Sequence, residues 1–350
     1  MQRAGLIVTQ LRNFWYIAAE SKELRRRPVR RTILGEHLVL FRQANGLPGA
    51  LIDRCAHRNM ALSLGRMQNG FVECPYHGWR YRGDGKCVYI PSLPADEAPA
   101  ADISVRAYPC VQSDDYIWVY MGAAKPSKPP PRFPHLGEPR WTSFRMKTRF
   151  QAGALACLEN FLDCPHTVYV HRGWFRSPHV SEVRAQVTRN AQQIEARFFA
   201  ERDAQSVVSR LLFPRAENVV HTDRFLMPST SRVDYVFGPD RHFIITSQCT
   251  PVSEHETEVY TVISYRFGRI GPLVRLVFAP LSRRIIRQDV KILRLQTDQL
   301  KHFGGEHFTF VESDLIGPDI VRLWQQTLTC QIDNRRTDHP LETRNVALRF

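Results

Sequence analysis

Two short stretches of the sequence each pair a thiol with an imidazole. Cys55-Ala56-His57 is followed, after sixteen intervening residues, by Cys74-Pro75-Tyr76-His77. Two such loops can pinch one metal centre. Three readings fit: a tetrahedral structural zinc, a [2Fe-2S] cluster with both thiolates on one iron and both imidazoles on the other, or unrelated residues. Spacing discriminates. Zinc fingers usually pair Cys with Cys and His with His along the chain, whereas each loop here mixes its ligands, which lets the thiolates face one iron and the imidazoles the other.

A second concentration of chemistry lies in Glu159-Asn160-Phe161-Leu162-Asp163-Cys164-Pro165-His166-Thr167-Val168-Tyr169-Val170-His171. Two imidazoles joined by one distant carboxylate would form the facial triad of a non-haem Fe(II) site, with coordination positions left for O2. Asn160, Asp163 and His166 recur every three residues and could share a helix face, but His171 lies about 140° round an ideal helix from His166. Pro165 supplies a break, because it disfavours helical geometry at Cys164 and removes a backbone donor. The carboxylate must come from elsewhere. In the helical pattern from Leu281 to Lys301, Asp289 shares an arc with Ile285, Ile286, Val290, Ile292, Leu293 and Leu300, and Asp298 points about 180° away. A buried carboxylate is costly unless paired or metal-bound, so Asp289 is the expected third ligand, with an ion pair to Arg284 or Arg287 as the alternative. Asp163, three residues before His166, could hold that ligand's free N–H.

These motifs together resemble the Rieske non-haem iron oxygenases, specifically the terminal oxygenase component of the single-chain monooxygenase-like branch. Cys55-Ala-His57-Arg58 and Cys74-Pro-Tyr-His77-Gly78-Trp79 carry the cluster half of the likeness, and the Asn160, Asp163, His166, His171 pattern carries the mononuclear-iron half. The respiratory-complex branch has an extra disulfide across its loops; Met60 and Tyr76 stand at those places here, so the likeness is to the oxygenase and ferredoxin branch. The resemblance implies that Cys55, His57, Cys74 and His77 bind a Rieske [2Fe-2S] cluster and that His166, His171 and Asp289 bind Fe(II). It further implies that Asp163 links a cluster histidine to His166 across neighbouring subunits of a homotrimer, with Asn160 a polar residue near the iron. Gln288 replaces the family's common Glu before the ligand Asp.

The elements that must position these residues read as an α+β chain. From residue 50 to 121 short β-type runs alternate with Gly and Pro, as in an all-β domain, and Ala18 to Arg27 reads as a polar helix. Five prolines between 122 and 135 rule out a regular element there. The expected organisation is therefore an N-terminal all-β Rieske domain over 1–124, a Pro-rich linker over 125–138 and a catalytic domain over 139–350. In the last, a helix around 153–171, strands at 192–199, 232–237, 242–246 and 258–267, and a helix at 281–301 are predicted. The resemblance implies that an antiparallel sheet wraps around helices there, in a helix-grip-like arrangement. The apolar run Pro272 to Leu281 is expected to be buried or to face a partner.

Composition narrows the alternatives. The 350 residues, 43% hydrophobic and 23% charged, suit about two folded domains and exclude disorder or a disulfide mini-protein. No stretch approaches a membrane span and no leader pattern opens the chain, so a cytoplasmic location is expected. The formal charge of +14 comes from basic residues spread along the chain, which suits a solvated surface or an acidic redox partner better than nucleic acid. No G-x-G-x-x-G or flavin-type fingerprint is present. Electrons are therefore expected from NAD(P)H indirectly, through a ferredoxin or flavin reductase. The expected reaction is hydroxylation or oxidative demethylation of a small organic, aromatic-type substrate with O2. Oxidation or desaturation of a larger tetrapyrrole or sterol is the runner-up, and a zinc-stabilised basic nucleic-acid-binding protein is the rival from another class.

Overall fold

The computed structural model describes residues 11–123, 125–172, 182–199, 219–238, 241–333 and 341–349. The chain divides into two compact units, one spanning Arg12–Arg132 and the other built mainly from Phe133–Phe350.

The first unit is all-β, in three small antiparallel sheets. β1 (Trp15–Glu20), β10 (Tyr116–Tyr120) and β9 (Cys110–Ser113) form one, in that order. β2 (Val29–Ile33), β3 (Glu36–Arg42) and β4 (Pro48–Ile52) form the second, and β5 (Arg66–Gln68), β6 (Phe71–Glu73), β7 (Arg80–Tyr81) and β8 (Cys87–Tyr89) the third. The helix expected over 18–27 is absent: Ala18 and Ala19 lie within β1, and only Ser21–Glu23 make a 3-10 turn. Ala19 pairs with Ile117, and the fully buried β10 gives these residues a partner that local propensity does not reveal. One core cluster joins Val39, Phe41, Leu51, Leu62, Val72 and Tyr81 to Cys55 and Cys74, so both thiols project from packed structure.

The second unit is an eight-stranded, wholly antiparallel sheet with helices on it. The strands are β11 (Thr142–Phe150), β12 (Glu182–Arg189), β13 (Gln193–Phe199), β14 (Val220–Leu226), β15 (Thr230–Val236), β16 (His242–Ser253), β17 (Glu256–Arg266) and β18 (Glu342–Arg349). Their order is β11-β17-β16-β15-β14-β13-β12-β18. The helices are α1 (Ala154–Phe161), α2 (His166–Val170), α3 (Gly271–His302) and α4 (Gly317–Ile332). Period-two alternation explains the packing: Phe144 and Met146 of β11 and Ile263 and Tyr265 of β17 share a face and meet Phe278 of α3. The Tyr265 hydroxyl donates to the Gly271 carbonyl at 3.1 Å, fixing where α3 begins.

α3 starts ten residues before the expected helix, with Pro272 in its first turn and Pro280 inside it. Pro280 sits on the exposed side, where helix curvature tolerates a lost hydrogen bond. Burial of the Pro272–Leu281 run does not hold, since Leu273 is 66% and Leu276 72% exposed. The buried stripe is Phe278, Asp289, Leu293 and Thr297, whereas Ile292 is exposed. No helix of the described residues is long and apolar enough to cross a membrane.

Candidate metal centres

The two loops of the first unit are built alike. In one, the Cys55 N–H donates to the Met60 carbonyl and the Asn59 N–H to the Cys55 carbonyl; in the other, Cys74 N–H donates to Trp79 and Gly78 N–H to Cys74. Both loops turn through the left-handed region at the same place, Asn59 at φ 60° and Gly78 at φ 71°. Repeating one turn twice presents a Cys and a His from each side. His57 and His77 lie with ring centroids 4.5 Å apart, and Trp79 stacks on His57 at 4.7 Å.

The donor set fits a two-iron cluster. His57 Nδ1 is buried with no hydrogen-bond partner, a nitrogen left for a ligand bond. Burial raises the Cys74 thiol, and the adjacent Cys55 raises it further, so two thiolates here need a positive centre between them. Ligand atoms around one tetrahedral zinc lie about 3.3–3.8 Å apart. Among the described residues, the groups of three that gather within 4.8 Å include no three of Cys55, His57, Cys74 and His77, so these four are spread more widely than one zinc requires. Tyr81 adds a further contact. Its hydroxyl accepts from the Ala56 N–H at 3.1 Å and lies 3.2 Å from Cys55 Sγ, leaving its proton for the sulfur.

In the second unit, α1 ends at Phe161 and the chain resumes as α2 at His166, with Pro165 as its N-cap. The expected helix of 153–171 is thus interrupted over four residues, and His171 becomes the C-cap of a five-residue helix. The break brings both imidazoles to the buried face of α3. His171 Nε2 lies 3.0 Å and His166 Nε2 3.7 Å from Asp289 Oδ1, and the three residues gather within 4.8 Å. Asp289 is 4% exposed, and its Oδ1 has no partner in hydrogen-bond geometry. Three ligand atoms at contact distance, directed past one another, fit a common cation. Burial opposes a charged Asp289, but His166, His171 and Asn160 outweigh it and hold its carboxyl below the usual carboxylate range.

Both histidines are held at their other nitrogen. His166 Nδ1 meets the Asp163 backbone carbonyl, while the Asp163 carboxylate expected there is 3.8 Å away with its side chain 45% exposed. His171 Nδ1 meets Gln288 Oε1 at 2.9 Å. The protein around Asp163, with Asp314 and Asp223, holds its carboxyl above the ordinary value. Arg284 and Arg287, the alternative partners for Asp289, are exposed, and Asp298 faces Arg294 at 3.9 Å on the outer side.

The structure brings His166, His171 and Asp289 together and sets His57 beside His77, and it adds supports that the sequence reading missed. Tyr81 and Gln288 are examples, Gln288 having stood out only as a departure from the family. Also missed is a buried chain behind the helix break: Cys164 Sγ donates to Asp223 Oδ2 at 3.2 Å, and His221 Nε2 lies 2.9 Å from Asp223 Oδ1. Two polar residues alternating within a strand are the only trace of it in the sequence, and such a pattern ordinarily marks a solvent face.

Two protein-family models match the chain. The Rieske [2Fe-2S] domain model matches residues 14–109, and the model of the vanillate O-demethylase oxygenase C-terminal domain matches residues 150–313. The chain belongs to the Rieske non-haem iron oxygenases, a family that carries a [2Fe-2S] cluster and a mononuclear iron. It is similar to the oxygenase component of dicamba O-demethylase from Stenotrophomonas maltophilia, 36% identical over 47% of this chain and 49% of that protein. It is also similar to chlorophyllide a oxygenase from Chlamydomonas reinhardtii, 38% identical over 47% of this chain and 26% of the relative. The chain thus spans about half or less of the length of these relatives. A longer match, 82% of both chains at 26% identity, is to methylxanthine N3-demethylase NdmB of Pseudomonas putida. The crystal structure of dicamba monooxygenase bound to dicamba superposes with TM-score 0.80 at 25% identity, over 93% of this chain and 99% of that one.

Proposed function

We propose that this chain is a terminal oxygenase that uses O2 and externally supplied electrons to hydroxylate or oxidatively demethylate a small aromatic substrate. The observation that carries the proposal is the convergence of His166, His171 and Asp289 in a chain that also holds the cluster loops. In this reading Cys55, His57, Cys74 and His77 hold the cluster, and His166, His171 and Asp289 hold Fe(II). The cluster supplies single electrons, and the iron supplies open coordination for O2.

The chain's own residues supply placement. Asp163 and Gln288 hold the imidazoles, and the burial of Asp289 keeps water from competing for its carboxylate. His166 and His171, with a smaller contribution from Asn160, favour the ionised form of that carboxylate. The half-exposed Asp163, 3.8 Å from His166 Nδ1, would be the polar residue joining His166 to a cluster histidine of a neighbouring copy in a homotrimer.

A small aromatic substrate is favoured by the relatives' names, dicamba and methylxanthine demethylases, and by the match over nearly all of dicamba monooxygenase. The electron donor is a ferredoxin or flavin reductase drawing on NAD(P)H, whose acidic surface would suit the +14 charge. The six cysteines outside the cluster loops are free thiols, which suits the reducing cytoplasm. The test is a screen of methylated and unmethylated aromatic acids and purines, following O2 uptake, NADH oxidation and product with a surrogate reductase. Product in step with O2 supports the proposal, and metal-loaded protein that transforms no member of the screen contradicts it.

A further inference from the structure

We propose that Gln288 is a positioning residue for the mononuclear site, holding the His171 ring with a neutral amide so that Nε2 faces the metal. This deepens the proposed function and rests on His166, His171 and Asp289 being ligands. Gln288 and Asp289 are consecutive on α3, so one helical turn supplies both a carboxylate and the clamp for a histidine from another segment.

The clamp matters because of where His171 sits. It caps a five-residue helix at φ −108° and ψ 34°, outside regular helical geometry, with its side chain buried. His166 is held at Nδ1 by a main-chain carbonyl, an acceptor that no side-chain change removes. At the same position on His171 the partner is a side chain, with Gln288 Oε1 2.9 Å from Nδ1. A proton on Nδ1 donated to that oxygen leaves the Nε2 lone pair free, and Nε2 is the nitrogen 3.0 Å from Asp289 Oδ1. The amide is neutral, so it orients the ligand without the added basicity that a carboxylate would confer. An amide can also turn its N–H₂ toward Nδ1 and favour the non-ligating tautomer, which a carboxylate cannot do.

The experiment uses full-length protein with its cluster assembled and the mononuclear site stripped. Fe(II) affinity is measured by anaerobic competition with a chromophoric chelator, and the EPR spectrum of the nitrosyl adduct reports ligand geometry. Gln288→Leu should weaken Fe(II) binding about 10- to 100-fold and alter the nitrosyl spectrum, while the cluster absorbance stays unchanged. Gln288→Glu restores an acceptor and should bind Fe(II) at least as tightly as the parent. The proposal is overturned by a Leu variant within about twofold of the parent, or by a Glu variant as weak as the Leu one. Should the Leu variant not fold, the Glu variant decides alone: parental or tighter binding sustains the proposal, and a loss of about tenfold or more overturns it. His171→Ala separates the underlying reading, because unchanged Fe(II) affinity there would remove His171 from the ligand set altogether.

Discussion

Asp289 Oδ1 lies 3.0 Å from His171 Nε2, yet the contact lacks the direction of a hydrogen bond. A buried carboxylate oxygen left in that state costs on the order of 1–3 kcal/mol or more, so its persistence on the core face of α3 needs a compensating partner. A cation shared with His166 supplies one, since lone pairs aimed at a common point pass beside one another. The same logic applies to His57 Nδ1, buried and unpartnered between the two cluster loops.

Asp163 is expected to act in electron delivery and not in holding metal, because its carboxylate stands 3.8 Å from His166 Nδ1 while the backbone carbonyl makes the contact. Asp163→Asn should keep both metal centres and reduce the cluster normally, but slow reoxidation of the reduced cluster by O2 and substrate about 100-fold or more. Stopped-flow reoxidation checks this, and an unchanged rate would remove Asp163 from the path.

Tyr81 is expected to tune the cluster. Its hydroxyl faces Cys55 Sγ at 3.2 Å, and a hydrogen bond to a cluster sulfur favours the reduced state by offsetting its extra negative charge. Tyr81→Phe should therefore lower the midpoint potential by tens of millivolts without loss of iron, as measured by redox titration of the visible spectrum. A potential that does not move would show that the hydroxyl proton points elsewhere.

Gly78 tests the loop construction. At φ 71° a side chain is strained, and a Cβ there would stand 2.8 Å from Pro91 Cγ. Gly78→Ala should destabilise the loop by about 1–2 kcal/mol or more and lower cluster occupancy, read as the ratio of visible to ultraviolet absorbance. Asn59→Gly, at the matching position in the other loop, should be tolerated.

A pH effect on stability is expected from Asp234, 3% exposed and bound to Arg224 at 2.7 Å, Arg232 at 2.7 and 2.8 Å, and His242 at 3.1 Å. Burial opposes its charge, but these partners outweigh burial and lower its pKa. The stabilisation is therefore present above the unfolded carboxylate value, about 3.9, and is lost as pH falls through the lower folded value. Asp234→Asn should cost about 3 kcal/mol near neutral pH, and the gap between variant and parent in denaturant melts should close toward pH 3. A gap that stays constant from pH 7 to 3 would contradict this assignment.

Much of this was legible in the sequence because metal ligands demand particular residue types at particular spacings. Cys55, His57, Cys74 and His77 stood out as candidates in two short loops, and Asp289 on the apolar arc of a helical wheel over 281–301. The break between α1 and α2 was legible from Pro165. The remainder depends on tertiary partners. Ala18 and Ala19 read as helix until β10 supplies the neighbouring strand. The early start of α3 was hidden by Pro272 and Pro280, which look like breakers but occupy a first turn and an exposed face. The contacts of Tyr81 and Gln288 have no sequence signature, since they reach residues more than 20 and more than 100 positions distant. That Asp163 uses its carbonyl in place of its carboxylate follows from the turn leading into α2, which composition does not encode.

The most direct test of two iron centres on one polypeptide is metal analysis of anaerobically reconstituted protein beside its Asp289→Ala variant. The parent should hold about three irons and two sulfides per chain, and the variant about two irons with the same visible spectrum and no oxygenation. Equal iron in the two proteins, or zinc in place of iron and sulfide, would contradict the account.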